Sequence, residues 1–405
     1  MQPVYLSWGM GVESSAILAR WLLEPETRDF DLQDMTVIVA QTGDEWSDTK
    51  ALCERYMFPL LRDYGVRLVQ VARAGHLEED GIEVLDDTRE PYTLFIDGAY
   101  KLSDELILSG TVPTFGGVHK CALKFKAFVL ESWLAGETEG TAYRHAFGFN
   151  SKERGRVERS NEYNLEVPRE SPRVAFGFNA DEGSRIERAS EYDGMKRTAF
   201  FPLMDWDWDR EQCVDYLKGA FGVEWLKSAC VQCPFVKLTE ESVGRMRRAP
   251  AEIARALLLE YRALCLNPRA TLYSGKSLMS VIERDGNDEA LAAFYESLES
   301  LTFGLYRVRR IYTAKGKAYR CVELLGAGDR AEASRLFEER AAALELAGKV
   351  EHDIAYGYVL EREPDVYPTR EEFYAVAPAD VAPKARYGIP WFDGRWKAFD
   401  QAAFF

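Results

Sequence analysis

The chain has 405 residues and a formal net charge of −15, and 47% of it is hydrophobic against 29% charged. That balance is globular and excludes a disordered chain, and its sign excludes a surface coated in nucleic acid while leaving room for a local basic groove. No apolar run approaches the ~20 residues of a membrane span, and the first residues lead into a strand with no leader pattern, so a cytoplasmic protein without a membrane partner is expected.

The apolar run Val4–Leu6 predicts a strand, and Ala16–Leu23 predicts a helix. Between them lies Ser7-Trp8-Gly9-Met10-Gly11-Val12-Glu13-Ser14-Ser15. A strand that turns through glycines into a helix N-terminus aims backbone N–H groups and the positive helix end at one spot, which suits a phosphate. Ser14 or Ser15 would cap the helix and offer a hydroxyl to the same anion. An ordinary βα turn is the plainer reading. Neither GxGxxG nor GxxxxGK[ST] is present.

A second strand, Met35–Gln41, ends in Thr42-Gly43-Asp44-Glu45, before a helix from about Thr49 to Tyr64. At the carboxyl end of a parallel strand this cluster would meet the first loop's ligand; otherwise it is a capping turn. A third strand, Val66–Val71, completes a β-α-β-α-β rhythm that predicts a doubly wound parallel sheet. Residues 72–117 read as a long excursion with a short helix near Tyr100–Leu108. Next, His119-Lys120-Cys121-Ala122-Leu123-Lys124-Phe125-Lys126 opens an amphipathic helix through Leu134. A cysteine at a helix start beside lysines is expected to have a depressed pKa.

Residues 146–163 and 175–192 form an internal repeat offset by 29 residues, 175 minus 146. Each copy carries G-x-x-x-x-E-x-x-R, as Gly148/Glu153/Arg156 and Gly177/Glu182/Arg185. A bidentate guanidinium suits a phosphate, and a solvated ion-paired helix explains the same spacing. Asp209 is expected to cap a helix bearing Cys213. Then Cys230-Val231-Gln232-Cys233-Pro234 places two sulfurs in one turn, which fits zinc, an iron–sulfur cluster or a redox dithiol. Seven cysteines are too few for a disulfide scaffold in a chain this long. Cys53, Cys265 and Cys321 read as core.

From Leu238 onward helices are expected over Glu240–Arg248, Ala251–Leu266, Glu289–Leu298 and Asp329–Ala347. The stretch 305–320 is basic and aromatic; it could grip a nucleic-acid backbone, or pack its rings inward and pair its charges with an acidic body. The division expected is 1–237 as a nucleotide-binding domain and 238–405 as a mainly helical module.

The loop at Ser7–Ser15 resembles the SFGxGVQST form of the pyrophosphatase loop in relatives of phosphoadenosine phosphosulfate (PAPS) reductase, a family of PP-loop ATPases. Thr42–Glu45 resembles its TGxE segment, Cys121 and Lys126 its C-T-x-x-x-K segment with Ala122 in place of the threonine, and the G…E…R before Phe201-Pro202-Leu203 favours the second repeat copy. The resemblance covers Pro3 to Phe235. It implies a Rossmann-like α/β fold of the adenine nucleotide alpha hydrolase type with a C-terminal helical module.

It further implies ATP, or another adenylyl-bearing nucleotide, at Ser7, Gly9, Gly11, Val12, Ser14, Ser15, Thr42, Gly43, Asp44 and Glu45. Mg²⁺ would be held by Glu13, Asp44 or Glu45, and Lys126, Glu182 and Arg185 would be catalytic. Cys121, Cys230 and Cys233, with Cys213 as a fourth candidate, would bind a [4Fe–4S] cluster, or zinc instead. The activity implied is AMP- and pyrophosphate-forming adenylation of a substrate followed by sulfur transfer from a cysteine desulfurase-like donor, in nucleotide or nucleic-acid modification; a homodimer fits the same reading. A PAPS-type reductase with a redox dithiol, an ATP-dependent amide ligase and a non-catalytic nucleotide-binding subunit are the alternatives.

Overall fold

The computed structural model describes residues 2–113, 119–148, 197–385 and 387–402. The chain divides into two compact units, residues 1–102 with 114–233, and residues 103–113 with 234–405. The second boundary falls four residues before the one expected from sequence.

The first unit is built on β1 (Val4–Ser7), α1 (Val12–Leu23), β2 (Met35–Gln41), α2 (Ser47–Leu52), α3 (Phe58–Asp63), β3 (Arg67–Arg73) and β4 (Ile82–Thr88). A π turn, Cys53–Met57, joins α2 to α3. After α4 (Leu102–Ser109), which carries the chain into the second unit, follow α5 (Lys120–Ala122), α6 (Phe128–Thr138), β5 (Tyr143–Ala146), β6 (Arg197–Phe200), α7 (Pro202–Asp205) and α8 (Arg210–Phe221). The sheet order is β4-β3-β2-β1-β5-β6, all parallel except the edge strand β4. β4 lies in the stretch where no strand is expected from sequence: its acidic residues Glu83, Asp86 and Asp87 dilute the apolar signal.

Strand alternation sends Val4, Leu6, Met35, Val37 and Val39 to a core shared with α1, α3 and α8, and sends Tyr5, Ile38, Val69 and Val71 to one shared with α6. Burial on both faces is why β2 reads as a near-continuous apolar run. Asp209 caps α8 as expected, its carboxylate accepting from Gln212 N, and Gly222 closes the helix at φ 69°.

In the second unit, α9 (Glu240–Arg247), α10 (Pro250–Leu266) and α12 (Asp288–Glu299) follow the helical expectation, and α11 (Leu278–Asp285) is a helix not expected from the sequence. Beyond them a mainly helical module is not what the chain forms. β7 (Phe303–Ala314), β8 (Lys317–Gly328), α13 (Arg330–Ala343), β9 (Ala347–Glu351), β10 (Ile354–Leu360), β11 (Thr369–Pro378) and β12 (Lys384–Ala385) precede α14 (Ile389–Ala402). The six strands make an antiparallel sheet of order β12-β8-β7-β11-β10-β9.

The basic stretch is the β7–β8 hairpin, and most of its cations turn inward. Arg310 pairs with Glu371 at 2.8 Å, Arg309 with Glu323 at 3.0 Å and Asp393 at 2.8 Å, and Arg307 with Glu372 at 2.6 Å. Tyr306 and Tyr312 are buried, while Lys315 and Lys317 stay exposed at the turn. Among the described residues, no helix is long and apolar enough to cross a membrane.

Candidate functional site

The parallel strands run β3-β2-β1-β5-β6, so the chain reverses its direction of growth at the β1–β5 junction. An open α/β sheet leaves its crevice at such a point, beyond the carboxyl ends of the strands. Two glycine segments meet there: Gly9–Gly11 after β1, and Gly148 after β5. A Cβ added to Gly148 would lie 3.1 Å from Ser14 N and 3.3 Å from Ser14 Cα, so the missing side chain lets the two backbones touch at the start of α1. Gly148 belongs to the first repeat copy. The second copy, with Glu182 and Arg185, lies outside the described residues, as do Glu153 and Arg156. β5 is the direct neighbour of β1, which is why Gly148 reaches the loop.

The loop differs from expectation in its caps. Gly11 is the N-cap of α1, without a side-chain cap, and Ser14 and Ser15 stand inside the first turn. Ser15 is fully buried and its Oγ accepts from Trp8 Nε1 at 2.9 Å. Ser14 Oγ reaches back to Gly11 O at 3.5 Å. Ser15 N is the first amide to bond back into the helix, at Gly11 O, so Val12, Glu13 and Ser14 are the open donors of a helix start. Ser7 Oγ is 2.7 Å from His145 Nε2. Glu13, a candidate for Mg²⁺, is paired with Arg210 at 2.6 Å.

Thr42–Glu45 is held from two sides. Gly43 has φ 83°, and a Cβ there would lie 2.6 Å from Lys101 Cγ, so the position requires glycine twice over. Residues 225–233 form a strap across the loop ends. Ser228 Oγ donates to Gly9 O at 2.5 Å, Trp225 Nε1 to Met10 O at 3.0 Å, Ala229 N to Glu45 Oε1 at 2.8 Å and Val231 N to Asp44 O at 2.9 Å. Glu45 Oε1 also accepts from Thr49 Oγ1 at 3.0 Å. A carboxylate oxygen so engaged is a structural pin; the adjacent Asp44 is half-buried. No motif marks Trp225, Ser228 or Arg210 in the sequence.

The strap carries Cys230 and Cys233, and Cys233 N closes the turn on Cys230 O at 3.0 Å. Thr42 Oγ1 is 3.1 Å from Cys230 Sγ. Lys126, in the π turn Leu123–Ala127, lies near Cys230, Glu45, Cys233 and Cys121, whose anionic forms favour its ammonium. Its burial favours the neutral amine, but these neighbours outweigh that and its pKa is raised. Cys121, Lys126, Cys230, Cys233 and Glu45 are thus near enough to influence one another's ionisation.

The depressed thiol pKa expected at Cys121 is not found. Burial raises it and the neighbouring Cys233 adds to the rise, while local backbone N–H groups and Lys126 offset only part. Cys230 is raised further by burial, against Lys126. Cys213 lies elsewhere, fully buried in the core with Leu217 and Trp225, where a helix-borne thiol acts as a small apolar side chain.

Three such thiols are the right donors for a soft metal or a cluster, and a bound cation would draw off the protons that burial retains. By donor chemistry the set fits such a group; yet among the described residues no three of His, Cys, Asp or Glu are already gathered at ligating spacing. Compared with protein-family models, curated proteins and solved structures, the chain matches none.

Proposed function

We propose that this is a PP-loop, Rossmann-like enzyme of the PAPS-reductase-like kind, which adenylates a substrate with ATP and then replaces the activated oxygen by sulfur. The observation that carries the reading is the strap. One nine-residue segment is hydrogen-bonded to the glycine loop through Ser228 and to Asp44 through Val231, and it bears both cysteines of the C-x-x-C turn. In this reading the strap couples sulfur chemistry to a nucleotide loop, which neither a plain ligase nor a plain dithiol protein needs.

The residues have distinct roles in this reading. Gly9, Met10, Gly11 and the open amides of α1 receive the phosphates, with Ser7, Val12 and Ser14 alongside, and Asp44 orients them through Mg²⁺. A substrate oxygen attacks the α-phosphorus; the new P–O bond forms as the bond to pyrophosphate breaks. Lys126 stabilises the charge that develops on the phosphoryl oxygens. The outer sulfur of a desulfurase-type persulfide, released as sulfide by two electrons from a thiol reductant, then attacks the activated carbon; the C–S bond forms as the C–O bond breaks, and the old oxygen leaves with AMP. Cys121, Cys230 and Cys233 would hold the [4Fe–4S] cluster, which when bound supplies an open iron to carry sulfide.

The spacing of the three cysteines keeps one rival alive: without a third ligand in place, Cys230 and Cys233 suit a redox dithiol. Anaerobic purification with iron, sulfide and zinc analysis, together with ATP–pyrophosphate exchange, separates them. About four irons per chain and exchange activity support sulfur transfer. Exchange with zinc alone indicates a ligase. Neither metal nor exchange sinks the adenylation reading and leaves the dithiol.

A further inference from the structure

We infer that Trp225 and Ser228 are positioning residues that hold the glycine turn in its phosphate-receiving form; this rests on the nucleotide-binding reading above. Ser228 Oγ donates to Gly9 O at 2.5 Å and Trp225 Nε1 to Met10 O at 3.0 Å. These are the carbonyls of two consecutive peptide units. In a planar trans peptide the C=O and N–H point in opposite directions. Fixing both carbonyls on the strap therefore turns the N–H groups of Met10 and Gly11 away from it, side by side.

Met10 stands at φ 60°, in the left-handed region that a non-glycine residue leaves readily unless held. Successive N–H groups around such a residue form the concave arrangement that takes an anion. The indole bond falls on the carbonyl of that strained residue. Trp225 is 3% exposed, so its N–H has little alternative in water. The contact with Ser228 is close: a Cβ on Gly11 would lie 3.0 Å from its Oγ. Neither side chain addresses a phosphate. Each acts through the loop backbone, and sequence offers no motif for either.

The test measures binding of ATP, inorganic pyrophosphate and adenosine by calorimetry to the full chain and to Ser228→Ala, Ser228→Thr and Trp225→Phe, alongside urea unfolding. Loss of one hydrogen bond that orders the loop should weaken ATP and pyrophosphate about tenfold. Adenosine, which has no phosphate, should bind each variant as it binds wild type, and Ser228→Thr should recover the affinity lost in Ser228→Ala. ATP binding unchanged in Ser228→Ala and Trp225→Phe overturns the inference. So does an equal loss for adenosine and ATP, which would mark a general packing role. If Trp225→Phe does not fold, the two Ser228 variants decide alone. Wild type that binds neither ATP nor pyrophosphate removes the nucleotide reading itself, and this inference with it.

Discussion

Thr42 Oγ1 and Cys230 Sγ lie 3.1 Å apart although 188 residues separate them in sequence. The contact ties the carboxyl end of β2 to the cysteine turn, beside the antiparallel bridge between Glu45 and Cys230. A thiol this close to the crevice shares its surroundings with whatever the loop binds. In the function proposed above, sulfur and nucleotide would therefore share one site.

Glu45 is expected to be the pin of that arrangement. Its Oε1 accepts from Ala229 N and Thr49 Oγ1, and the residue is buried. Glu45→Ala strands both donors, at about 1–3 kcal/mol each. Glu45→Gln keeps an acceptor oxygen and should retain most of the stability. Urea midpoints measure the difference, and alkylation of Cys230 should accelerate in the alanine variant as the strap loosens. An alanine variant with wild-type midpoint and thiol reactivity would remove Glu45 from this role.

Gly148 should tolerate no side chain. An alanine Cβ would sit 3.1 Å from Ser14 N, which is helix backbone and cannot swing aside. Overpacking of this kind costs about 1–3 kcal/mol, and it pushes at the start of α1. Gly148→Ala is therefore expected to lower the unfolding midpoint and to weaken ATP more than adenosine. Gly136, whose added Cβ would meet nothing within 4 Å, is the control. Equal behaviour of the two alanine variants would show that the β5 end does not shape the loop.

Much of the first unit is legible because local chemistry and fold agree. Met35–Gln41 is a strand to the residue, since a strand covered on both faces must be apolar throughout. Asp209 is a cap with its own capping box. Ser15 misleads: its place after a glycine turn suggests a cap, and only the fold reveals that Trp8 takes its oxygen. The strap is illegible because a serine and a tryptophan bonded to backbone carbonyls leave no spacing to recognise. The second sheet is hidden differently. β7 carries Arg307 and Arg310, which look solvated until Glu372 and Glu371, about sixty residues later, pair with them across the β7–β11 ladder.

Stability should fall as pH rises into the alkaline range under reducing conditions. Burial raises the pKa of Cys53, Cys121, Cys230 and Cys265, the last to about 12. The unfolded chain releases these protons from about pH 8.5, while the folded chain keeps them. The folded state then binds more protons, so stability decreases with pH from there until the folded pKa values are passed. Urea unfolding at pH 7.5 and pH 10 checks this; equal midpoints contradict it. At the site, Lys126 holds the Cys230 pKa down against burial, so Lys126→Met should slow alkylation of Cys230 at pH 8. Faster alkylation would mean that the cation does not face the thiol.

The ion cluster of the second sheet should be acid-labile and intolerant of half-removal. Arg310 and Glu371 are 4% and 1% exposed, and Arg269 and the Tyr312 hydroxyl also reach the same carboxylate. Burial alone would raise the Glu371 pKa, but Arg310 and Arg269 more than offset it, and the net shift is downward. A carboxylate depressed on folding stabilises above its unfolded value near 4.3, and the contribution is lost as pH falls through the folded pKa. Glu371→Gln leaves Arg310 buried without its counter-charge, at a cost of about 3–5 kcal/mol, whereas Arg335→Ala, in an exposed i,i+4 pair with Glu339, should cost less than about 1 kcal/mol. Urea unfolding at pH 7 should separate the two variants clearly. At pH 3 the gap between Glu371→Gln and wild type should narrow, since acid begins to neutralise the same carboxylate. A gap that holds constant down to pH 2 would show that Glu371 contributes by shape and not by charge.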